Sequence, residues 1–74
     1  MINELDIVAL TRAVPESKLE AGDTGTVVMV HDGGEGYLVE FMTFSGETIG
    51  VLTLDAKDVR PLRESEIPHA REVA

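Results

Sequence analysis

The sequence predicts an all-β domain: a small five-stranded SH3-like barrel with a 3₁₀ turn before the last strand. Short runs rich in Val, Ile and Thr recur along its 74 residues, and such runs are typical of strands. Glycine-rich and Asp-Gly steps separate the runs and indicate tight turns. A long first loop and a single helical turn near the end complete the order of elements expected of such a barrel.

The first strand is expected over residues 6–11, a short apolar run. Residues 12–22 contain Pro15, which fixes one backbone angle and lacks an N–H, so we interpret them as a loop. Val14 and Leu19 are apolar residues within this loop. We expect both side chains to pack against the sheet and keep the loop ordered.

A glycine-rich step, in which Gly22 and Gly25 flank an Asp-Thr pair, leads into the second strand. Glycine provides the unusual backbone angles of a tight turn, and we assign that role to both residues. The second strand is expected over residues 25–31. Four apolar residues in succession obscure its alternation, and we interpret Val28 and Val30 as pointing into the core.

The third and fourth strands each follow a tight turn. Residues 37–44 form the third strand, in which Tyr37, Val39 and Phe41 share one face because side chains alternate along a strand. The fourth strand is expected over residues 48–54. Together with the second strand they form a meander of hairpins.

The end of the predicted domain is marked by three residues with special backbone roles. Gly50, inside the fourth strand, predicts a bulge or a sharp bend. Asp55 begins a four-residue segment and is assigned as the N-cap of one 3₁₀ turn. The last strand covers residues 59–62, and because Pro61 cannot donate a backbone hydrogen bond, that strand lies at a sheet edge or ends there.

These elements define one SH3-like barrel domain over residues 1–62, followed by a flexible charged C-terminal tail over residues 63–74. Pro68 interrupts any helix in the tail, and its few apolar residues cannot anchor it. Deleting the tail is therefore expected to leave Tm nearly unchanged. The predicted core consists of Val8, Leu10, Val28, Val30, Val39, Phe41, Val51, Leu54 and Val59.

Charge limits the partners that the chain can bind. It has 14 acidic and 6 basic side chains, a net charge of -8, and no cysteine. Because binding to nucleic acids and to anionic membranes depends on Lys and Arg, this balance argues against both. It fits a basic protein partner, and acidity also serves solubility alone. Without cysteine there is neither a disulfide nor a thiolate metal site.

Localisation is inferred from what the sequence lacks. No apolar run approaches the roughly 20 residues of a membrane-spanning helix. The first residues do not combine a basic start with an apolar stretch, so no secretion signal is visible. We expect a cytoplasmic protein of bacterial type.

Four features could carry chemistry, and each has a simpler explanation. His31 beside Asp32 could form a general base, but no nucleophile or pocket accompanies the pair. Asp32 and Glu35, in their glycine turn, are too few ligands for calcium. Asp55 and Asp58 could act as an acid–base pair, but capping explains both. The Gly-Asp-Thr-Gly step lacks the lysine and the following helix of a phosphate-binding loop.

Several segments together resemble one family of small bacterial proteins, known as domain of unknown function 4926. The segments are Leu5 to Leu10, Pro15, Leu19, Gly22 to Val28, Val39 to Phe41 and Thr53 to Leu62. The resemblance covers residues 5–62 and leaves out the tail. It implies an SH3-like barrel, and it implies no activity and no site residues.

The chain is therefore interpreted as a non-catalytic interaction module with no catalytic residues, no cofactor and no metal. One Tyr, two Phe and no Trp cannot line a groove for proline-rich peptides or a cage for methylated cations. We predict a protein-binding role, in which the chain accompanies or neutralises a basic protein partner. The alternative is a nucleic-acid-binding SH3-like module of the KOW type, and an enzyme ranks last.

Overall fold

The computed structural model describes residues 1–73 and contains five β-strands. Neighbouring strands are antiparallel and form one sheet in the order β4-β3-β2-β1-β5. No helix in the described part of the chain exceeds a single 3₁₀ turn, so the all-β prediction is confirmed. The elements are β1 (Ile7–Leu10), a 3₁₀ turn (Pro15–Ser17), β2 (Thr24–His31), β3 (Gly36–Met42), β4 (Thr48–Asp55), a second 3₁₀ turn (Ala56–Asp58) and β5 (Val59–Pro61).

Three details of the sheet agree with the sequence. A 3₁₀ turn directly precedes β5, and β5 ends at Pro61 on the edge of the sheet. The pairing of β3 with β4 shifts register beside Gly50, which is the predicted bulge. No hydrogen-bonded pair joins β4 to β5 among residues 1–73, so closure into an SH3-like barrel stays a prediction.

The hydrophobic core covers one face of this sheet. Phe41 is its largest fully buried side chain, with 2% of its surface exposed. The loop between β1 and β2 contributes Val14 and Leu19, which are buried and face each other in an isolated bridge. This confirms that the loop packs against the sheet. The other members of the core are Val8, Leu10, Val27, Tyr37, Val39, Leu54 and Val59.

Two predicted core residues, Val28 and Val51, are exposed, so that part of the prediction is wrong. In β2 the register shifts after Val27, which is fully buried, and the extra residue of this bulge turns Val28 away from the core. In β4, Val51 pairs with Glu40, a position of β3 that faces away from the core. Val30 is half-buried and packs against the core.

The two glycines before β2 serve different purposes. Gly22 has a φ of +92°, which confirms its role in a tight turn. Gly25 has no such angle, but a Cβ there would lie 2.7 Å from Val39 Cγ1 and 2.9 Å from the carbonyl oxygen of Glu40. The role predicted for Gly25 is therefore wrong. Glycine is required at this position because β2 approaches β3 closely, and not because the backbone adopts an angle that only glycine tolerates.

Arg71 connects residues 63–73 to the loop between β1 and β2. Arg71 Nε donates a hydrogen bond to Asp23 Oδ1 at 2.8 Å, and its Nη2 donates to the other oxygen of the same carboxylate. The same Nη2 also donates to the carbonyl of Lys18 at 3.0 Å. The flexibility predicted for the tail stays a prediction, and residue 74 lies outside the described residues. The Arg71 contacts nevertheless give the segment specific partners on the first loop.

Because of these contacts, we now expect that deleting the tail lowers Tm. Deleting residues 63–74 removes the Arg71 contacts and the two-bond pair of Arg60 with Glu66, at 2.8 and 2.7 Å. The deletion should lower Tm measurably, and Arg71→Ala should lower it by a smaller amount, because it leaves the Arg60–Glu66 pair in place. Thermal denaturation measures both. An unchanged Tm for both proteins would restore the original expectation of a tail independent of the sheet.

Candidate protein-interaction surface

Charge is divided unevenly along the chain and therefore over the fold. No Lys or Arg occurs between Lys18 and Lys57, a stretch that contains all of β2, β3 and β4. The acidic side chains of that stretch are Glu20, Asp23, Asp32, Glu35, Glu40, Glu47 and Asp55. The three-stranded part of the sheet thus presents only apolar groups, neutral polar groups and carboxylates, apart from the imidazole of His31.

Most cations elsewhere in the fold are bound by carboxylates of the same chain. The ion pairs join Arg12 to Asp58, Lys57 to Asp55, Arg60 and Arg63 to Glu66, and Arg71 to Asp23 and Glu20. Within residues 1–73, Lys18 is the one basic side chain of Lys or Arg type without an ion pair. The side-chain carboxylates without an ion pair in the described part of the chain are Glu4, Asp6, Glu16, Asp32, Glu35, Glu40, Glu47, Glu64 and Glu72. The surplus negative charge therefore faces solvent.

Apolar side chains cover the face of the sheet opposite the core. We call this the outer face and define it as Ile7, Val28, Met29, Leu38, Met42 and Val51. Leu38 is half-buried, and the other five have between 44% and 53% of their surface exposed. Strand pairing brings the set together on one face, because Met29 lies opposite Leu38 and because Ile7 and Val51 stand at the two ends of a register row that also contains Thr26 and Glu40. Exposed apolar side chains grouped with polar ones on one face are typical of interaction sites.

Glu40 lies in the middle of the outer face. It pairs in register with Thr26 on one side and Val51 on the other. Its Oε2 accepts a hydrogen bond from Thr48 Oγ1 at 2.8 Å, and no cation of residues 1–73 forms an ion pair with it. A carboxylate with apolar side chains on the same face suits an incoming Arg or Lys, whose aliphatic stem packs while its charged end binds.

Asp58 has a structural role. It is 5% exposed, and its two oxygens accept hydrogen bonds from Arg12 Nε at 3.0 Å and Arg12 Nη2 at 3.4 Å. Asp55 stands at the N-cap position, yet its side chain makes no cap bond and instead pairs with Lys57 at 3.6 Å. The capping interpretation of Asp55 is therefore wrong, and Asp58 fastens the first loop to the second 3₁₀ turn. The hydrogen bonds from Arg12 lower the pKa of Asp58 below its ordinary value.

The Arg12–Asp58 pair predicts a specific pH dependence. Because the pKa of Asp58 is lower in the folded than in the unfolded chain, its stabilisation is complete above about pH 5 and is lost as the pH falls further. Asp58→Asn should cost about 1–2 kcal/mol at neutral pH. The difference between the two proteins should shrink between about pH 5 and pH 2. Urea denaturation at several pH values measures it, and a difference that stays constant would contradict the pair.

Wild type must be compared with Asp58→Asn because two other carboxylates of the folded protein are protonated over the same range of low pH. Asp23 and Glu66 also have lowered pKa values, that of Glu66 about 2, through hydrogen bonds from Arg71 and Arg60 respectively. Both weaken the fold as they are protonated. Taking the difference between wild type and Asp58→Asn removes both effects.

The other chemical candidates lie in the turn between β2 and β3 and in the glycine step before β2. His31 ends β2 and Asp32 begins the turn, where the His31 carbonyl accepts hydrogen bonds from the amides of Gly34 and Glu35. In the part of the chain that the structure describes, no three His, Asp or Glu side chains come together as a metal site would require. The glycine step runs into strand β2, where a phosphate-binding loop runs into a helix.

A groove of about 1020 Å³ separates the β3–β4 hairpin from the C-terminal segment. Phe44 and Ile49 line it from the hairpin, and residues 69–73 line it from the segment. Ser45 also lines the groove. Its Oγ shares a hydrogen bond with Thr43 Oγ1 at 3.0 Å, and this partner is a hydroxyl group that cannot act as a general base. The groove reaches Ile49, the second residue of β4.

No helix within residues 1–73 is both long and apolar enough to cross a membrane.

Comparisons with known proteins identify the family. Neither the search of curated proteins nor the search of solved structures finds a match. A family model described as "Domain of unknown function (DUF4926)" matches residues 4–61, which include all five strands and most of the chain. The chain therefore belongs to the DUF4926 family.

Proposed function

We propose that this protein is a non-catalytic binding module for a basic protein partner. The observation that carries the proposal is the outer face, where exposed apolar side chains share a face with Glu40 on a part of the sheet without Lys or Arg. Burial of the apolar side chains would supply affinity, and the carboxylates would select a cationic partner and speed its association. We place this activity in the bacterial cytoplasm as part of the same proposal.

A protein is favoured over a nucleic acid because of the groups that the outer face offers. Nucleic-acid binding requires cations that neutralise phosphates, and the outer face contains none. Tyr37 and Phe41, the two aromatic residues of the strands, are buried in the core and cannot stack with bases. The KOW-type alternative therefore rests on likeness of architecture alone.

Affinity capture with matched variants tests the proposal. Wild-type protein and the variant Met29→Lys/Val51→Lys are immobilised and exposed to native lysate of the source organism. The control Ser65→Lys/Ala70→Lys adds the same charge at exposed positions of the C-terminal segment. A basic protein retained by wild type and control, and lost from the outer-face variant, is the expected result. Retention that is equal on all three proteins, or recovery of acidic proteins alone, would overturn the proposal.

The same reasoning predicts that the protein does not bind random DNA or RNA at physiological salt. Non-specific nucleic-acid binders reach dissociation constants of roughly 10⁻⁴ to 10⁻⁶ M there by displacing counterions. Lys57, Arg60 and Arg63 are close in sequence but are paired with Asp55 and Glu66. Fluorescence polarisation with labelled oligonucleotides checks this. Salt-sensitive binding in the low micromolar range would place the nucleic-acid function above the protein-binding one.

A further inference from the structure

The two edges of the sheet are protected to very different degrees. A free strand edge presents unpaired N–H and C=O groups, and proteins usually protect it by short length, Lys, Pro or charge. β5 is three residues long and contains both Arg60 and Pro61. β4 is eight residues long and has no charge and no Pro from Thr48 to Leu54. Within residues 1–73, β4 pairs with β3 alone.

The free edge of β4 is regular over most of its length. The bulge lies near its beginning, and Gly50 to Asp55 then pair residue by residue with Phe41 to Gly36 of β3. Six consecutive residues are thus held in extended form, with alternate N–H and C=O groups pointing away from β3. Ile49, near the beginning of this edge, also lines the groove. An incoming extended chain could continue the sheet here.

Carboxylates stand at both ends of this edge. Glu47 precedes β4 and is exposed, and neither it nor Glu35 forms an ion pair within residues 1–73. Asp55 ends the strand, where it forms an exposed ion pair with Lys57 at 3.6 Å, for which an incoming cation would compete. The Glu35 carbonyl beside it accepts a hydrogen bond from the Ala56 amide at 3.0 Å. Positions 47 and 55 are eight residues apart, about 26 Å along an extended chain.

We propose that the free edge of β4 accepts an extended segment of the basic partner as a sixth strand. This inference rests on the proposed function and specifies how the partner binds. Main-chain hydrogen bonds to Gly50 to Asp55 would provide affinity. Lys or Arg side chains near the two ends of the segment would meet Glu47 at one end and Asp55 at the other.

A second copy of this chain is a poorer occupant than a basic segment. An antiparallel pairing of two β4 strands centred on Val51 would set Glu47 of each copy opposite Asp55 of the other. Directly opposed like charges destabilise a strand pair. Each copy also has a net charge of -8, which opposes self-association. The charges at the strand ends therefore exclude self-pairing while they attract a cationic strand.

A peptide titration followed by NMR tests the inference. The probe is a capped nine-residue peptide, Lys-Thr-Val-Thr-Val-Thr-Val-Thr-Lys, whose two lysines match the spacing of Glu47 and Asp55. One control peptide carries Glu at both ends, and another carries Pro at its centre. The expected result is that the lysine peptide alone, at up to about 2 mM, shifts the amide signals of Gly50 to Asp55 and slows their hydrogen exchange.

Charge-matched variants connect the shifts to the ends of the strand. Glu47→Lys/Asp55→Lys should weaken peptide binding about tenfold or more, because two attractions become repulsions. Glu16→Lys/Glu64→Lys changes net charge equally at exposed positions outside the strands, and should weaken binding by no more than about twofold. Equal loss in both variants would overturn the assignment to β4.

The remaining outcomes separate this inference from the proposed function. Shifts at Ile7, Val28 and Met29 without shifts in β4 would overturn strand addition and leave the outer face as the binding site. No shift with the lysine peptide would also overturn strand addition, whereas the capture experiment judges the proposed function separately. Shifts in β4 that depend on protein concentration without peptide would show that a second copy is the occupant.

Discussion

Phe41→Ala is expected to lower the free energy of unfolding by about 3 kcal/mol or more. Phe41 is 2% exposed and is the largest of the fully buried side chains. Its removal takes away buried apolar area and leaves a cavity that the surrounding strands cannot fill. A domain of this length has only a few kcal/mol of total stability, so the variant should lie close to its unfolding limit.

Phe44 provides the matched control for this measurement. The same truncation, Phe44→Ala, removes a fully exposed ring at the tip of the β3–β4 hairpin. A surface substitution of this type should change stability by less than about 0.5 kcal/mol. Urea denaturation of the three proteins compares the losses. A loss under about 1 kcal/mol for Phe41→Ala would place this residue outside the core.

Gly25→Ala is expected to destabilise the protein by about 2 kcal/mol, an effect that conformational preference alone would not give. The added methyl carbon would lie 2.7 Å from Val39 Cγ1 and 2.9 Å from both the Glu40 carbonyl oxygen and Phe41 Cδ1. The Glu40 oxygen belongs to the backbone of β3, so a change of rotamer cannot relieve this overlap. The two strands must separate, and the packing of Phe41 loosens.

Gly50→Ala separates steric overlap from the general effect of replacing a glycine in a strand. Gly50 also lies within a strand without a positive φ, but a Cβ there would meet nothing closer than 3.9 Å. Gly50→Ala should therefore change the free energy of unfolding by less than about 0.5 kcal/mol. Equal losses in the two variants, measured by thermal denaturation, would contradict the close approach of β2 and β3 at Gly25.

The strands could be predicted from the sequence because their signals are local. β-branched runs, Asp-Gly steps and Pro61 each act within a few residues, and their positions agree with the structure. The inward side of β2 could not be predicted in this way. The bulge after Val27 depends on where β3 pairs with it, and four apolar residues in succession give no alternation to follow. Val28 was assigned to the core for that reason.

The interaction surface was only partly predictable. The acidic balance of the whole chain indicated a basic partner, but the position of the surface follows from strand pairing. Val51 belongs to the outer face because it pairs with Glu40, a contact between distant parts of the sequence. One usable signal was present in the sequence: the absence of Lys and Arg between Lys18 and Lys57. The partner of Asp58 could not be found, because Arg12 is 46 residues away.

The most direct test of the proposed function uses the three methionines of the chain as probes. Met29 and Met42 belong to the outer face, whereas Met1 is a fully exposed terminal residue outside it. The partner recovered by affinity capture is titrated into protein labelled with ¹³C at the methionine methyl groups. We predict that the Met29 and Met42 signals shift or broaden and that the Met1 signal does not. Binding of the partner that leaves both Met29 and Met42 unchanged would contradict the outer face as the binding surface.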